Sequence, residues 1–190
     1  MKIHETAIVS ANAEIGENTR IWQFCNIMEA TKIGKNCNIG QGCFIESGVV
    51  LGNNVTVKNN VALYQGVTCE DDVFLGPNCV FTNVRFPRSF VSRKDCFELT
   101  KICKGATIGA NVTVVCGNTV GAYAMIGAGS VITKDVEEHA LMIGNPAKLI
   151  GYVCECGEKL LDKAEGNRMH SEKCNLTYNI VDGKCVKEMF

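Results

Sequence analysis

Residues 33–57 read Ile33-Gly34-Lys35-Asn36-Cys37-Asn38-Ile39-Gly40-Gln41-Gly42-Cys43-Phe44-Ile45-Glu46-Ser47-Gly48-Val49-Val50-Leu51-Gly52-Asn53-Asn54-Val55-Thr56-Val57, with an aliphatic side chain at every sixth position. The ladder runs back through Ile27, Ile21, Ile15 and Val9 to Ile3, and forward through Leu63, Cys69 and Leu75 to Phe81. It then breaks and resumes at Ile102, Ile108, Val114, Val120, Ile126 and Ile132. The step from Phe81 to Ile102 is three and a half hexapeptides, so the break shifts the register by half a repeat. A period of six fits neither the helical period nor the alternation of long strands. It fits short flat strands wound around a prism, each giving one inward aliphatic per face.

A second ladder lies two positions earlier and holds small side chains: Cys25, Thr31, Cys37, Cys43, Val49, Val55, Val61, Val67, Val73 and Cys79. Cysteine here stands where valine otherwise does, as a small buried hydrophobe. Cys25 and Cys43 are one coil apart, so a disulfide is within geometric reach; compartment argues against it. Gly16, Gly34 and Gly52 recur once in every three hexapeptides, followed two places on by Asn18, Asn36 and Asn54, with Asp72 next in that column. Gly and Asn tolerate the positive φ of a sharp corner. Three hexapeptide faces therefore make one coil, and six to seven coils are expected. The same corner is expected to return at Gly109 and Asn111, then at Gly127 and Gly129, with the interruption thrown out as a loop.

The chain has 190 residues, a net charge of −1 and 12 cysteines. This charge balance gives no push toward nucleic acid or an anionic membrane. No apolar run approaches a membrane span, and Met1-Lys2-Ile3-His4-Glu5 does not open a signal peptide. A cytoplasmic protein is expected, with thiols rather than disulfides. The predicted divisions are a β-helix over 1–136 with a loop at 82–101, a C-terminal cap over 137–152 and a Cys-rich tail over 153–190.

The runs Ile108-Gly109-Ala110-Asn111-Val112-Thr113 and Ile126-Gly127-Ala128-Gly129-Ser130-Val131-Ile132-Thr133-Lys134-Asp135, with Gly144-Asn145-Pro146-Ala147-Lys148, resemble the hexapeptide-repeat acyltransferases over about residues 1–152. The resemblance implies an all-β, left-handed parallel β-helix with one protruding loop and a small Cys-rich C-terminal appendage. It also implies a homotrimer with active sites between subunits. Asn59-Asn60-Val61, Asp71 to Pro77, Phe81-Thr82-Asn83-Val84 and Pro87-Arg88 look like the N-acetyltransferases of nucleotide-linked 3-amino sugars. Those acting on UDP-2-acetamido-3-amino-2,3-dideoxyglucuronate resemble the chain most, and those using dTDP-linked 3-amino-6-deoxyhexoses are similar. The implied activity is transfer of acetyl from acetyl-CoA to a sugar amine, for surface polysaccharide or glycan synthesis such as O-antigen.

The loop carries Arg85, Arg88, Arg93, Lys94 and Lys101 against Asp95 and Glu98, a surplus of three positive charges. Arginine forks suit diphosphate oxygens, so Arg88, Arg93 and Lys101 are candidates for the nucleotide. The plain alternative is a solvated loop at a subunit contact. None of His4, His139 and His170 lies in the coil beside the loop, so no histidine base is expected. By resemblance, Asn83 orients the sugar amine; otherwise it is a corner asparagine. Asn60 and Tyr64 are candidate sugar contacts or plain strand-surface residues. The resemblance puts pantetheine against Gly109, Ala110 and Ala128, in the segment that includes Pro146, and gives Lys134 and Lys148 the phosphates or adenine. Trp22 points outward, toward a subunit contact or a stacking partner.

Past Tyr152 the repeat is gone. Cys154-Glu155-Cys156-Gly157 resembles the opening of a zinc knuckle, and Cys174 and Cys185 complete four thiols, with His170 as a substitute. The spacing departs from the usual paired ligands of such sites. An irregular Cys-rich tail is the other reading. For the whole protein the competing class is a non-catalytic trimeric scaffold or binding subunit.

Overall fold

The computed structural model describes residues 1–162, 168–182 and 184–188; the rest of the tail predicted over 153–190 lies outside the described residues. Short strands stack into three parallel sheets, the faces of a prism. Face A rises from Lys2–Ile3 through Asn38–Ile39, Thr107–Ile108 and Met125–Ile126 to Ala140–Ile143. Face B runs from Ile8–Val9 through Val80–Phe81 and Thr113–Val114 to Val131–Ile132. Face C runs from Glu14–Ile15 through Val67–Cys69 and Thr100–Ile102 to Thr119–Val120.

The register explains the period. Ile3 pairs with Ile21 and Ile21 with Ile39, each three hexapeptides on, so identical positions of successive coils lie one above another. The ladder residues from Ile21 to Ile132 are 3% exposed or less and form one continuous core. Faces B and C hold seven and six strands, as the expected coil number requires, and face A holds eight parallel strands, one more than its ladder residues, because Leu141 and Met142 pair with Met125 and Ile126. That last coil is shorter than three full hexapeptides and so escapes the count.

The small ladder is more than filler. Cys25 Sγ lies 3.0 Å from Gly40 O, Cys37 Sγ 3.1 Å from Gly52 O and Cys43 Sγ 3.1 Å from Lys58 O. Thr19 Oγ1 donates to Gly34 O at 2.8 Å. A thiol or hydroxyl at this position reaches a carbonyl of the next coil, which valine cannot do. All 12 cysteines are free, and Cys96 is the exposed one among those before the tail.

Positive φ marks all three corners. One column holds Asn18, Asn36, Asn54, Asp72, Gly105, Tyr123 and His139; a second holds Phe24, Gly42, Asn60, Asn78, Asn111 and Gly129; a third holds Ala30, Gly48, Gly66 and Gly117. Asn111 and Gly129 thus stand above Asn60 and Asn78, not above Asn54 and Asp72 as expected. Across the break Cys69 pairs with Ile102 and Phe81 with Val114, a separation of five and a half hexapeptides in place of three. The insertion is therefore two and a half hexapeptides long. It leaves the ladder in the same phase as an insertion of half a hexapeptide would, but moves the later residues by one face around the coil.

Strand Lys148–Tyr152 folds back antiparallel on Ala140–Ile143 and ends the stack. The tail then forms an antiparallel sheet of Leu161–Asp162, Arg168–Ser171, Leu176–Val181 and Lys184–Lys187. Its core is Tyr152, Cys154, Leu160, Met169, Tyr178 and Cys185. His139 joins it to the coil: its ring stacks on Tyr123 at 5.2 Å and meets the edge of Tyr178 at 5.0 Å. Its Nδ1 donates to Val153 O at 2.9 Å.

Burial holds the His139 imidazole below its usual range, against the opposing pull of the Val153 carbonyl. The unfolded chain then binds the proton more readily, so stability is complete above the ordinary imidazole range and falls as pH drops below it. Melting temperature is expected to decline between about pH 7 and about pH 5, with a shallower slope in His139→Asn; equal slopes would remove His139 as the cause. In the coil, Leu63 is fully buried, and Leu63→Ala is expected to cost about 2–5 kcal/mol in denaturant unfolding.

Candidate active site

The only interruption of the coil among the described residues leaves from the edge between faces B and C. It departs after Val80–Phe81 and returns at Thr100–Ile102, so Lys101 sits on a strand and not in the excursion. Several bonds bind the two ends to the coil. Asn83 O accepts the Glu98 N–H at 3.0 Å, and Thr82 Oγ1 accepts the Cys116 N–H at 2.9 Å. Arg85 forks onto both oxygens of Glu98, with Nη2 at 2.9 Å from Oε2, and also donates to Cys116 O at 3.0 Å.

These pairings divide the cationic patch. Arg85 is a strut, and Lys101 Nζ lies 2.6 Å from Glu70 Oε1. Lys101 and the Lys104 N–H hold the Glu70 carboxyl below its ordinary range. Neither cation is therefore free for a phosphate. Arg88, whose guanidinium reaches only the Pro87 carbonyl at 3.2 Å, Arg93 and Lys94 are exposed and form no carboxylate pair among the described residues. Arg93 lines a cleft with Val84, Arg85, Phe86, Cys96 and Glu98. Phe86 and Phe90 project from the loop at 73% and 84% exposure. The strut role of Arg85 and Glu98 was not read from the sequence, where the two are simply opposite charges well separated along the loop.

Asn83 is half-buried where the loop departs. Tyr64 stands one coil before it on the same edge, its ring 6.1 Å from that of Phe44. Asn60 lies at the opposite end of strand Ala62–Leu63, in the corner between faces A and B, exposed and with φ 58°. The structure therefore brings Tyr64, but not Asn60, beside Asn83. Lys134, exposed, follows Val131–Ile132 and so falls in the column of Asn83, two coils on.

The edge between faces A and B carries the small residues. Gly76, Gly109 and Gly127 stack there: a Cβ on Gly76 would meet Ala110 N at 2.6 Å, and one on Gly109 would meet Ala128 N at 2.7 Å. Close stacking of coils thus explains those glycines without any ligand. Ala110 O accepts the Gly129 N–H at 2.8 Å, which leaves Ala128 exposed beside it. Pro146, in a cis bond with Asn145, and Lys148 are exposed at the end of this edge, where Ile143 pairs with Lys148. Lower on face A, Trp22 Nε1 donates to Asn38 Oδ1 at 2.9 Å, beside a groove lined also by Gln23, Gln41, Lys58 and Asn59.

The three histidines lie elsewhere in the chain. His4 is in the first coil, hydrogen-bonded with Thr6; His139 is buried at the tail junction; His170 lies on a tail strand. In the tail, the Sγ atoms of Cys154, Cys156 and Cys174 lie within 4.8 Å of one another. Cys185 stands apart in the tail's core at 3% exposure, and His170 does not join the cluster. Alternation along Arg168–Ser171 turns Met169 and Ser171 inward, on the opposite side of the strand from His170.

Comparison with known proteins agrees with the coil. Residues 30–65 and 100–134 match the hexapeptide repeat of succinyl-transferase, and residues 12–47 match the bacterial transferase hexapeptide of six repeats. The chain therefore carries the hexapeptide repeat of these transferases along both parts of its prism. It is 51% identical over 87 residues, 46% of its length and 44% of the relative's, to dTDP-3-amino-3,6-dideoxy-alpha-D-galactopyranose 3-N-acetyltransferase of Aneurinibacillus thermoaerophilus. It is 39% identical over 74 residues, 39% of its length and 21% of the relative's, to serine acetyltransferase 4 of Arabidopsis thaliana. The matches thus span less than half the length of these curated relatives. Among solved structures, a galactoside acetyltransferase in complex with coenzyme A shares the fold, with a TM-score of 0.58, 24% identity, and coverage of 70% of this chain and 73% of that one.

The Arg85–Glu98 strut is solvent-screened, so its loss is expected to leave global stability nearly unchanged. Glu98→Gln is expected instead to speed tryptic cleavage at Arg88 and Arg93 while the melting temperature barely moves. Unchanged cleavage would show that the strut does not hold the loop.

Proposed function

We propose that the chain is an acetyl-CoA-dependent N-acetyltransferase whose acceptor is the 3-amino group of a nucleotide-linked amino sugar. The observation that carries this reading is the 51% identity to a dTDP-3-amino-sugar 3-N-acetyltransferase. The architecture supports it: a rigid coil is interrupted next to Asn83 by a loop whose Arg88, Arg93 and Lys94 form no carboxylate pair among the described residues, the usual way a scaffold presents binding groups. Arg88, Arg93 and Lys94 are suited to the diphosphate. Gly109, Ala110, Ala128, Pro146 and Lys148 form the edge offered to CoA.

The neutral sugar amine attacks the thioester carbonyl carbon, and the carbonyl electron pair moves onto oxygen. Collapse of that tetrahedral species breaks the C–S bond, and the departing thiolate takes the proton lost by nitrogen. An amine in its free-base form needs no histidine to activate it. Catalysis then rests on holding the amine in line, the role given to the Asn83 side-chain oxygen, and on N–H groups facing the oxyanion. The resemblance to a serine acetyltransferase raises the alternative of a hydroxyl acceptor. An alcohol needs a base, and no histidine stands near the loop.

The loop and the glycine-stacked edge border face B on opposite sides, so one chain does not place donor and acceptor groups together. A trimer that apposes one edge to the other edge of a neighbour supplies the missing half. In a cell this chemistry belongs to the cytoplasm, where both substrates are made, and feeds surface glycan synthesis.

Mass spectrometry of UDP- and dTDP-linked 3-amino sugars incubated with acetyl-CoA tests the reading, with the gain of one acetyl group on nitrogen expected. Inertness toward both panels would favour a non-catalytic scaffold. Asn83→Ala is expected to lower turnover by about 100-fold with oligomeric state unchanged; near-normal turnover would dismiss its role.

A further inference from the structure

We propose that Cys154, Cys156 and Cys174 bind one zinc ion that staples the C-terminal sheet. The site is independent of the transferase reading, lying in the tail and away from the loop.

Two tight turns bring the thiols together. In the first, Cys154 N–H donates to Glu158 O and Gly157 N–H to Cys154 O, both at 2.8 Å, with Gly157 at φ 86°. This hairpin puts Cys154 and Cys156 on one side. In the second, Cys174 N–H donates to Ser171 Oγ at 3.3 Å and Asn175 takes φ 52°, which turns Cys174 toward the first pair. The three Sγ atoms then lie within 4.8 Å of one another. Zinc–sulfur bonds of ~2.3 Å in a tetrahedron put sulfurs ~3.8 Å apart, so closure needs shifts of about an ångström or less. A disulfide instead needs sulfurs ~2.05 Å apart and leaves one thiol over.

The surroundings suit thiolates. Tyr178 Oη donates to Cys154 Sγ at 3.3 Å, an outer-shell hydrogen bond of the kind that orients a metal ligand. Tyr178 is itself fully buried and touches His139, so a bound ion would brace the sheet that packs on the coil. Cys154 is buried and Cys156 exposed, which gives the ion an entry path and leaves its fourth position to solvent. The need is also physical. The tail's own core has six buried residues, and units this small commonly depend on a metal or disulfide. Three thiolates select a soft or borderline ion, and zinc adds no redox chemistry.

The test is metal analysis of the full chain, reduced, loaded with zinc and dialysed. About one zinc per chain is expected. Cys156→Ser and Cys174→Ser are expected to fall to background, while Cys185→Ala and His170→Ala keep the full content. Cobalt-loaded wild-type protein is expected to show intense thiolate-to-cobalt absorption, a reading that stands even if the serine variants misfold. Zinc absent from the wild type, retained by both serine variants, lost in Cys185→Ala, or replaced by a disulfide among these three cysteines would each overturn the site.

Discussion

The prism depends throughout on the stacking of one coil on the next at a single strand spacing. The prism strands are short and pair with the coils before and after, not with the strand that precedes them in sequence. A coil can satisfy its backbone only if its residues lie in register with those three hexapeptides away. Hence the uniform aliphatic ladder, the thiols and hydroxyls that reach carbonyls one coil on, and the Asn and Gly columns. A residue added anywhere on a face would throw each later coil out of register. An insertion can leave only at a corner, and the loop after Phe81 does so.

The same constraint shapes where chemistry is available. Inward positions are filled by the core, and the glycine column between faces A and B is demanded by the approach of backbone to backbone. What remains for binding are edges and the loop. The loop itself is partly committed to structure: Arg85 braces Glu98 and the Cys116 carbonyl, and Lys101 belongs to a strand paired with Glu70. A stretch that counts as five cations in sequence is a set of struts plus a smaller group that pairs with no carboxylate among the described residues.

The tail follows a different logic. It has no repeat and little core, and it is held to the prism by aromatic contacts around His139 and Tyr178. Its thiols were visible as a group in the sequence, but not which of them meet. Cys174 joins Cys154 and Cys156 because a turn redirects it, while Cys185, further along the chain, is drawn into the apolar interior.

By itself the sequence determined the coil, because a period of six with inward aliphatics admits no other packing, and it located the one interruption beside Asn83. It also determined that no histidine accompanies that interruption. Only the tertiary structure decided which face each later residue occupies, since an insertion of two and a half hexapeptides keeps the local period and changes the face. That shift puts Lys134 in line with the loop and seats Asn111 above Asn78, while the corner geometry separates Asn60 from Asn83. Charge pairing and thiol convergence were decided there as well, because both depend on distances between residues far apart in the chain, which no local spacing records.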